Sequence, residues 1–302
     1  MNMNLSVKIA NLKFSNPVTV ASGTFGAVGE CWDLKAAKQL GAIVPKTVTL
    51  LPQQGNLPPR IVETPSGMVN AIGIENDGID AFIENKLSMY AKIGVPVIVS
   101  ISGKSDEEFQ IMAEKLAGLS SVSAIELNLS CPNLKHKVLV AQDAGATQQV
   151  VALVRKIVNQ PIIAKLSPNV TSIADIAAAA EAAGADAVSM VNTFQAMVID
   201  VEKRKSMIGN FTGGLSGPAI RPIAVNMVYQ TAQRIKIPIM AMGGISNAED
   251  ALQFLIAGAT MVAVGTMSFI DPNTAIKVLD GIKVYMRKHK INDIKDLIGF
   301  IK

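Results

Sequence analysis

The sequence predicts an α/β fold, a closed (β/α)8 barrel of the TIM type, and three observations point to it. Eight short apolar runs rich in β-branched residues recur along the 302-residue chain, with helical stretches between most of them. Each run is mostly apolar, as a strand buried on both faces of a parallel sheet must be. The residues that open the runs also alternate. Runs one, three, five and seven open on Pro17, Pro96, Pro161 and Pro238; runs two, four, six and eight open on Gly41-Ala42, Ser123-Ala124, Gly184-Ala185 and Gly258-Ala259. Eight strand–helix steps with an alternation of two fit a closed ring. An open doubly wound sheet of similar element order is the rival architecture.

In chain order, residues 5–9 and 12–14, around Ala10-Asn11, read as a hairpin that caps the bottom of the barrel. Strands are expected at 18–21, 42–45, 97–101, 124–127, 162–166, 187–191, 239–242 and 261–264. Helices are expected at 33–40, 79–92, 107–119, 147–159, 173–183, 220–234 and 248–257, the Ala-rich 173–183 serving barrel packing. A proline can start a strand because no ladder N–H is yet required there. The glycines sit where a helix C-terminus needs a left-handed residue. Two regions exceed a minimal barrel: the Pro/Gly-rich 47–77 after strand two, and 194–218 after strand six, with an alternating run at 197–201 and the turn-rich FTGGLSG. Both follow strand C-termini, where barrel enzymes build active sites. No linker or low-complexity tract divides the chain, so one domain over 1–302 is expected.

Composition excludes several classes. With 49% hydrophobic and 17% charged residues the chain is not disordered. No apolar run reaches the roughly 18 residues of a membrane span. The start, MNMNLSVKIA, lacks the apolar core of a signal peptide, so a soluble, cytoplasmic protein is expected. The net charge of +4 comes from scattered lysines, and only 4% of residues are aromatic, which reads as a solvated surface rather than a nucleic-acid face. The two cysteines, Cys31 and Cys131, make neither a disulfide framework nor a four-thiolate metal or iron–sulfur site. Any such cluster must sit on another chain. His136 and His289 leave little for a His-based metal centre, and no metal site is expected.

The residues that end the runs converge on one mouth in a barrel. They are Ser22-Gly23, Lys46-Thr47, Ser100, Asn128, Lys165, Asn192-Thr193, Gly243-Gly244 and Gly265-Thr266, a set without a carboxylate that suits an anionic, amide-rich ligand. Each glycine pair alone could merely turn the chain, but two pairs at adjacent strand ends favour a phosphate site. Lys46 and Lys165 end apolar strands, where a lysine either meets a ligand or snorkels to solvent; burial without an anionic partner is costly, which favours the ligand. Asn128 opens NLSCPN, which carries Cys131 and Asn133. A thiol on that loop is either a nucleophile or base, or an inert buried cysteine, and spacing alone leaves both open. Cys31, beside Trp32 at a helix start, reads as structural. Gly103-Lys104-Ser105 resembles a P-loop end, but Ile98 stands where its first glycine is required, and no GxGxxG exists.

The segments PSGMVNAIGIEN (65–76), ELNLSCPN (126–133), AKLSPN (164–169), MVNTF (190–194), TGGLSGPAI (212–220), MGGI (242–245) and VGT (264–266) closely resemble dihydroorotate dehydrogenases, in order along nearly the whole chain. The resemblance implies an FMN-containing barrel that oxidises (S)-dihydroorotate to orotate in pyrimidine (UMP) synthesis. Cys131 implies class 1, since class 2 uses serine there and carries an N-terminal membrane segment. Lys135-His136 and GGLSGPAIRPIA look like class 1B, whose catalytic chains pair with an FAD and [2Fe–2S] subunit and pass electrons to NAD⁺. The implied assembly is a homodimer core joined by that subunit into a heterotetramer. The alternatives are a stand-alone class 1A-like oxidase using fumarate, a flavoenzyme for another pyrimidine, and a non-catalytic FMN-binding paralogue.

By the same resemblance, Cys131 removes the C5 proton while hydride leaves C6 for flavin N5. Lys46, Asn70, Ile72, Gly73, Ile74, Asn128, Asn133, Asn192 and Thr193 surround the substrate. Ser22, Lys46, Thr47, Ser100, Asn128, Lys165, Val191, Gly217, Gly243, Gly244, Gly265 and Thr266 bind FMN. The chain departs from the family at two places. Ser100 stands where an asparagine is usual, and the loop 135–145, KHKVLVAQDAG, lacks the Gly-rich and aromatic stretch expected after SCPN.

Overall fold

A computed structural model describes residues 3–25, 34–130 and 140–301. The barrel strands in chain order are β1 (Val18–Val20), β2 (42–48), β3 (Ile98–Ile101), β4 (Ala124–Asn128), β5 (Ile162–Lys165), β6 (Ala187–Met190), β7 (Ile239–Met242) and β8 (Met261–Val264). Seven of them form one parallel sheet in the order β1-β8-β7-β6-β5-β4-β3. The segment β2 fills the gap between β1 and β3. Ile43 bridges Val97 and Val48 bridges Ile101, both parallel, and Gly41 N donates to Val18 O at 2.8 Å. The ring is therefore a (β/α)8 barrel rather than an open sheet. β2 is only two bridges and not a continuous strand over 42–45, because Pro45 interrupts it and has no N–H for a ladder. Every residue of the seven regular strands is buried, which explains their mostly apolar character.

The alternation has a direct structural cause. Each even strand donates to the carbonyl of the proline that opens the next odd strand: Ile43 N to Pro96 O, Ile125 N to Pro161 O, Val188 N to Pro238 O and Val262 N to Pro17 O, at 2.8–3.1 Å. A proline keeps its acceptor while lacking a donor, so it fits where only its carbonyl is used. The glycines before the even strands differ among themselves. Gly258 (φ +119) is the left-handed cap of helix Ala248–Ala257, as expected. Gly41 instead permits a close approach: a Cβ there would lie 2.0 Å from Asn16 O.

Four helices between the strands start on side-chain caps. Ser105, Asp143, Ser172 and Asn247 accept from the backbone N–H three residues on. The expected helix 79–92 is instead a turn of α-helix (Gly78–Ala81), a π-turn (Phe82–Lys86) and a second α-helix (Leu87–Ala91). The N-terminal hairpin pairs Val7–Ile9 with Leu12–Phe14 and buries Val7, Ile9 and Phe14 in the main core.

The two insertions form a single structure. Phe194–Ala196, Gly213–Ser216, Gly67–Asn70 and Ile61–Thr64 make one antiparallel sheet in that order, over a small core of Val69, Ala71 and Ile208. Of the alternating run 197–201, only Ile199–Asp200 is a strand, paired with Lys205–Ser206. Met197, Ile199 and Val201 face outward, while Val198 packs against the small core.

Candidate active site at the barrel mouth

A cavity of about 330 Å³ opens between the C-terminal ends of the strands and the antiparallel sheet. It is lined by Ser22, Lys46, Thr47, Asn128, Lys165, Val191, Asn192, Thr193, Gly243, Gly244, Gly265 and Thr266 from the barrel, and by Asn70, Ile72, Gly73, Ile74 and Gly217 from the insertions. Every candidate residue within the described segments is thus in its wall, except Ser100. Ser100 is fully buried below, in contact with Thr47 and Glu126. Cys131 and Asn133, like Cys31, lie outside the described residues. Sequence reasoning missed several lining residues, among them Met68 and Ser216 on the inserted sheet and Ser130 in NLSCPN.

The insertions are held by backbone-directed side chains. Asn56 Nδ2 donates to Ala71 O, Gln53 Nε2 to Gly73 O and Asn76 Nδ2 to Ile74 O, fixing three of the four carbonyls from Ala71 to Ile74. Asn169 Nδ2 donates to Thr193 O and its Oδ1 accepts from Gln195 N, joining β5 to the second insertion. Gly214 lies against Thr193, where a Cβ would come within 1.9 Å of Oγ1. Asn192 Nδ2 donates to Ser130 Oγ at 2.8 Å, which ties β6 to the loop after β4.

Two lysines face this space. Lys165 is buried, and its Nζ donates to Ser22 Oγ at 2.9 Å and lies 3.8 Å from Glu126 Oε1. Burial, and then the charge of Lys165, lower the pKa of the Lys46 ammonium below its ordinary 10.5, and Glu75 opposes them. A cation held at that disadvantage gains when an anion arrives. Glu126 was not among the expected site residues, because reading only the strand ends finds no carboxylate. Its signal was legible: one charge inside the buried strand Ala124–Asn128.

The glycines at the mouth have two reasons. A Cβ at Gly244 would meet Gly217 O at 2.8 Å, and one at Gly217 would meet Gly67 Cα at 2.7 Å, so loop packing demands both. A Cβ at Gly265 would meet only Ala21 Cβ at 3.7 Å, so that side of Gly265 is open, as a backbone cradle for a ligand must be. Among the described residues no group of three His, Cys, Asp or Glu could hold a metal ion, and no helix is long and apolar enough to cross a membrane.

The sequence profile of the family described as dihydroorotate dehydrogenase matches residues 4–286. A protein of Geotalea uraniireducens named dihydroorotate dehydrogenase B (NAD(+)), catalytic subunit, is 48% identical over 98% of this chain and 97% of its own length. Proteins of the same name from Citrifermentans bemidjiense and Lachnoclostridium phytofermentans are each 49% identical over 99% of this chain and at least 98% of theirs. A barrel whose mouth is lined by the family's motifs, matched by profile and by relatives over nearly its whole length, belongs to the dihydroorotate dehydrogenase family.

Proposed function

We propose that the chain is the catalytic subunit of an NAD⁺-linked dihydroorotate dehydrogenase, oxidising (S)-dihydroorotate to orotate in pyrimidine synthesis with FMN in the mouth cavity. The observation that carries this reading is the cavity itself, which gathers Lys46, Asn70, Asn128, Asn192 and Thr193 beside Lys165 and the glycine loops. Its volume is within the ordinary range for a small-molecule site. The open face of Gly265 suits a phosphate, and the hydroxyls and lysines suit an electron-rich, amide-bearing ring.

Bound FMN supplies a ring that accepts two electrons as hydride. The chain's own residues do the rest. Asn70, Asn128, Asn133 and Asn192 pair with the amides and carboxylate of the substrate, each amide side chain offering both donor and acceptor. Lys46 meets the substrate's negative charge. Ile72, Gly73 and Ile74 close over it and exclude water. Cys131, as thiolate, takes the C5 proton. Lys165, held on Ser22, puts positive charge where electron density grows. Ser22, Thr47, Ser100, Val191, Gly217, Gly243, Gly244 and Thr266 complete the flavin site, with Ser100 acting from below the wall through Thr47. As the resemblance implies, and in line with the relatives' name as NAD(+)-linked catalytic subunits, electrons would leave through a partner subunit carrying FAD and [2Fe–2S]; the two cysteines of this chain are too few for such a cluster. The chain acts as one domain over 1–302, in the cytoplasm, as a homodimer core within a heterotetramer.

The test is the anaerobic visible spectrum of the purified chain before and after dihydroorotate. A flavin spectrum that bleaches is expected. A flavin that does not bleach refutes the substrate, and a chain that neither carries nor takes up FMN refutes the cofactor.

A further inference from the structure

Glu126 is a buried charge that the proposed reaction leaves unused. It lies inside β4, fully shielded from solvent. Both of its oxygens are engaged: Oε1 accepts from Ser100 Oγ at 2.9 Å and Oε2 from Ser189 Oγ at 2.8 Å. Lys165 Nζ is 3.8 Å from Oε1 and donates to Ser22 Oγ at 2.9 Å. Ser22 Oγ is 3.3 Å from Thr47 Oγ1, which is 2.9 Å from Ser100 Oγ. Glu126, Ser100, Thr47, Ser22 and Lys165 thus close a ring of side chains across the first five barrel strands.

Within that ring the two charges are held unequally. The carboxylate is pinned from two sides by hydroxyls of β3 and β6. The lysine is a long side chain with several rotamers, facing a second cation, Lys46, across the same cavity. A carboxylate buried this deeply is tolerated only with a paired charge and satisfied oxygens, and this one has both. Repulsion from Lys46 would otherwise favour lysine rotamers pointing away from the wall.

We propose that Glu126 is a positioning residue, which, fixed by Ser100 and Ser189, holds the Lys165 ammonium at the cavity wall against the flavin. The proposal rests on the FMN reading above. It makes Ser100 part of this device rather than a direct flavin contact.

The test uses the full chain loaded with FMN and the variant Glu126→Gln, which keeps the shape and one acceptor oxygen, turns the other acceptor into an NH2 donor that a serine Oγ can accept from, and removes the charge. The midpoint potential of the bound flavin is measured by reductive titration against a reference dye. Glu126→Gln is expected to lower the preference for reduced over oxidised flavin about tenfold, a fall of about 30 mV for a two-electron couple. Lys165→Met should lower it at least as far, and adding Glu126→Gln to Lys165→Met should change nothing further. Ser189→Ala, which keeps the carboxylate but removes one anchor, should lower the preference about threefold and carries the test if Glu126→Gln does not fold. A raised potential would make Glu126 only a through-space anion, and an unchanged one only a structural residue; either overturns the proposal. A wild-type chain that binds no FMN refutes the functional reading, and the proposal with it, before any variant is made.

Discussion

Replacing Gly41 by alanine tests how the barrel closes. The added Cβ would lie 2.0 Å from Asn16 O and 3.3 Å from Val18 O. The first distance is roughly 1.5 Å inside the favourable separation for such atoms, and both neighbours are backbone, so β1 and β2 must part. Three hydrogen bonds span this joint: Gly41 N to Val18 O, Thr19 Oγ1 to Ala42 O and Asn16 Nδ2 to Gln39 O, each 2.8 Å. At about 1 kcal/mol net for each, losing them costs about 3 kcal/mol. At roughly 2–4 °C per kcal/mol for a chain of this order of size, Tm should fall by about 6–12 °C. The control is Gly94→Ala, where φ is +83 and nothing lies within 4 Å of the added carbon. Only the left-handed backbone is penalised there, about 1–2 kcal/mol, so a smaller drop is expected. Thermal unfolding followed by circular dichroism reads both. A Gly41→Ala chain that melts within 3 °C of wild type, or no lower than Gly94→Ala, would refute the closure described for β2.

Other consequences follow from the site. Because burial and Lys165 lower the Lys46 pKa, the folded chain releases that proton more readily than the unfolded chain. Lys46 therefore penalises the ligand-free fold below its folded pKa, and the penalty is relieved as pH rises towards 10.5. Lys46→Met should raise the Tm of the ligand-free chain at neutral pH, while weakening orotate binding by roughly 10- to 100-fold, the worth of one charge-assisted hydrogen bond. In wild type, orotate affinity should fall as pH rises through the depressed Lys46 pKa, and titrations across alkaline pH should show no such fall in Lys46→Met. Cys131→Ser should slow flavin reduction by dihydroorotate about 10²- to 10⁴-fold in stopped flow, with orotate affinity retained. Gly214→Ala would drive a carbon to within 1.9 Å of Thr193 Oγ1. It should weaken orotate binding about tenfold by displacing a wall of the cavity, which isothermal titration can read.

The chain's own residue pattern determined where the strands lie and which side chains meet at the mouth. A strand buried on both faces must be apolar along its length, so β3 to β8 are visible as runs, and Lys165 and Asn128 stand out at their ends. Closure into a ring then carries every strand end to one rim, which is why residues as distant as Ser22 and Thr266 could be grouped before any contact was known. The prolines at 17, 96, 161 and 238 were legible for the same reason, since a missing donor is a property of the residue itself.

Tertiary structure decided what depends on pairing between distant segments. The two insertions carry no local mark of partnership, yet Asn70 pairs with Gly214 and Met68 with Ser216, because glycines on both segments allow the backbones to approach. The direction of a side chain was equally out of reach: Ser100, one residue before the end of Ile98–Ile101, turns inward to Glu126, while Asn128, the last residue of Ala124–Asn128, lines the cavity. Glu126 itself marks the boundary between the two kinds of information. Its charge inside an apolar strand is written in the sequence, whereas its role depends on Ser100, Ser189 and Lys165 arriving from three other strands, and only the closed barrel brings them together.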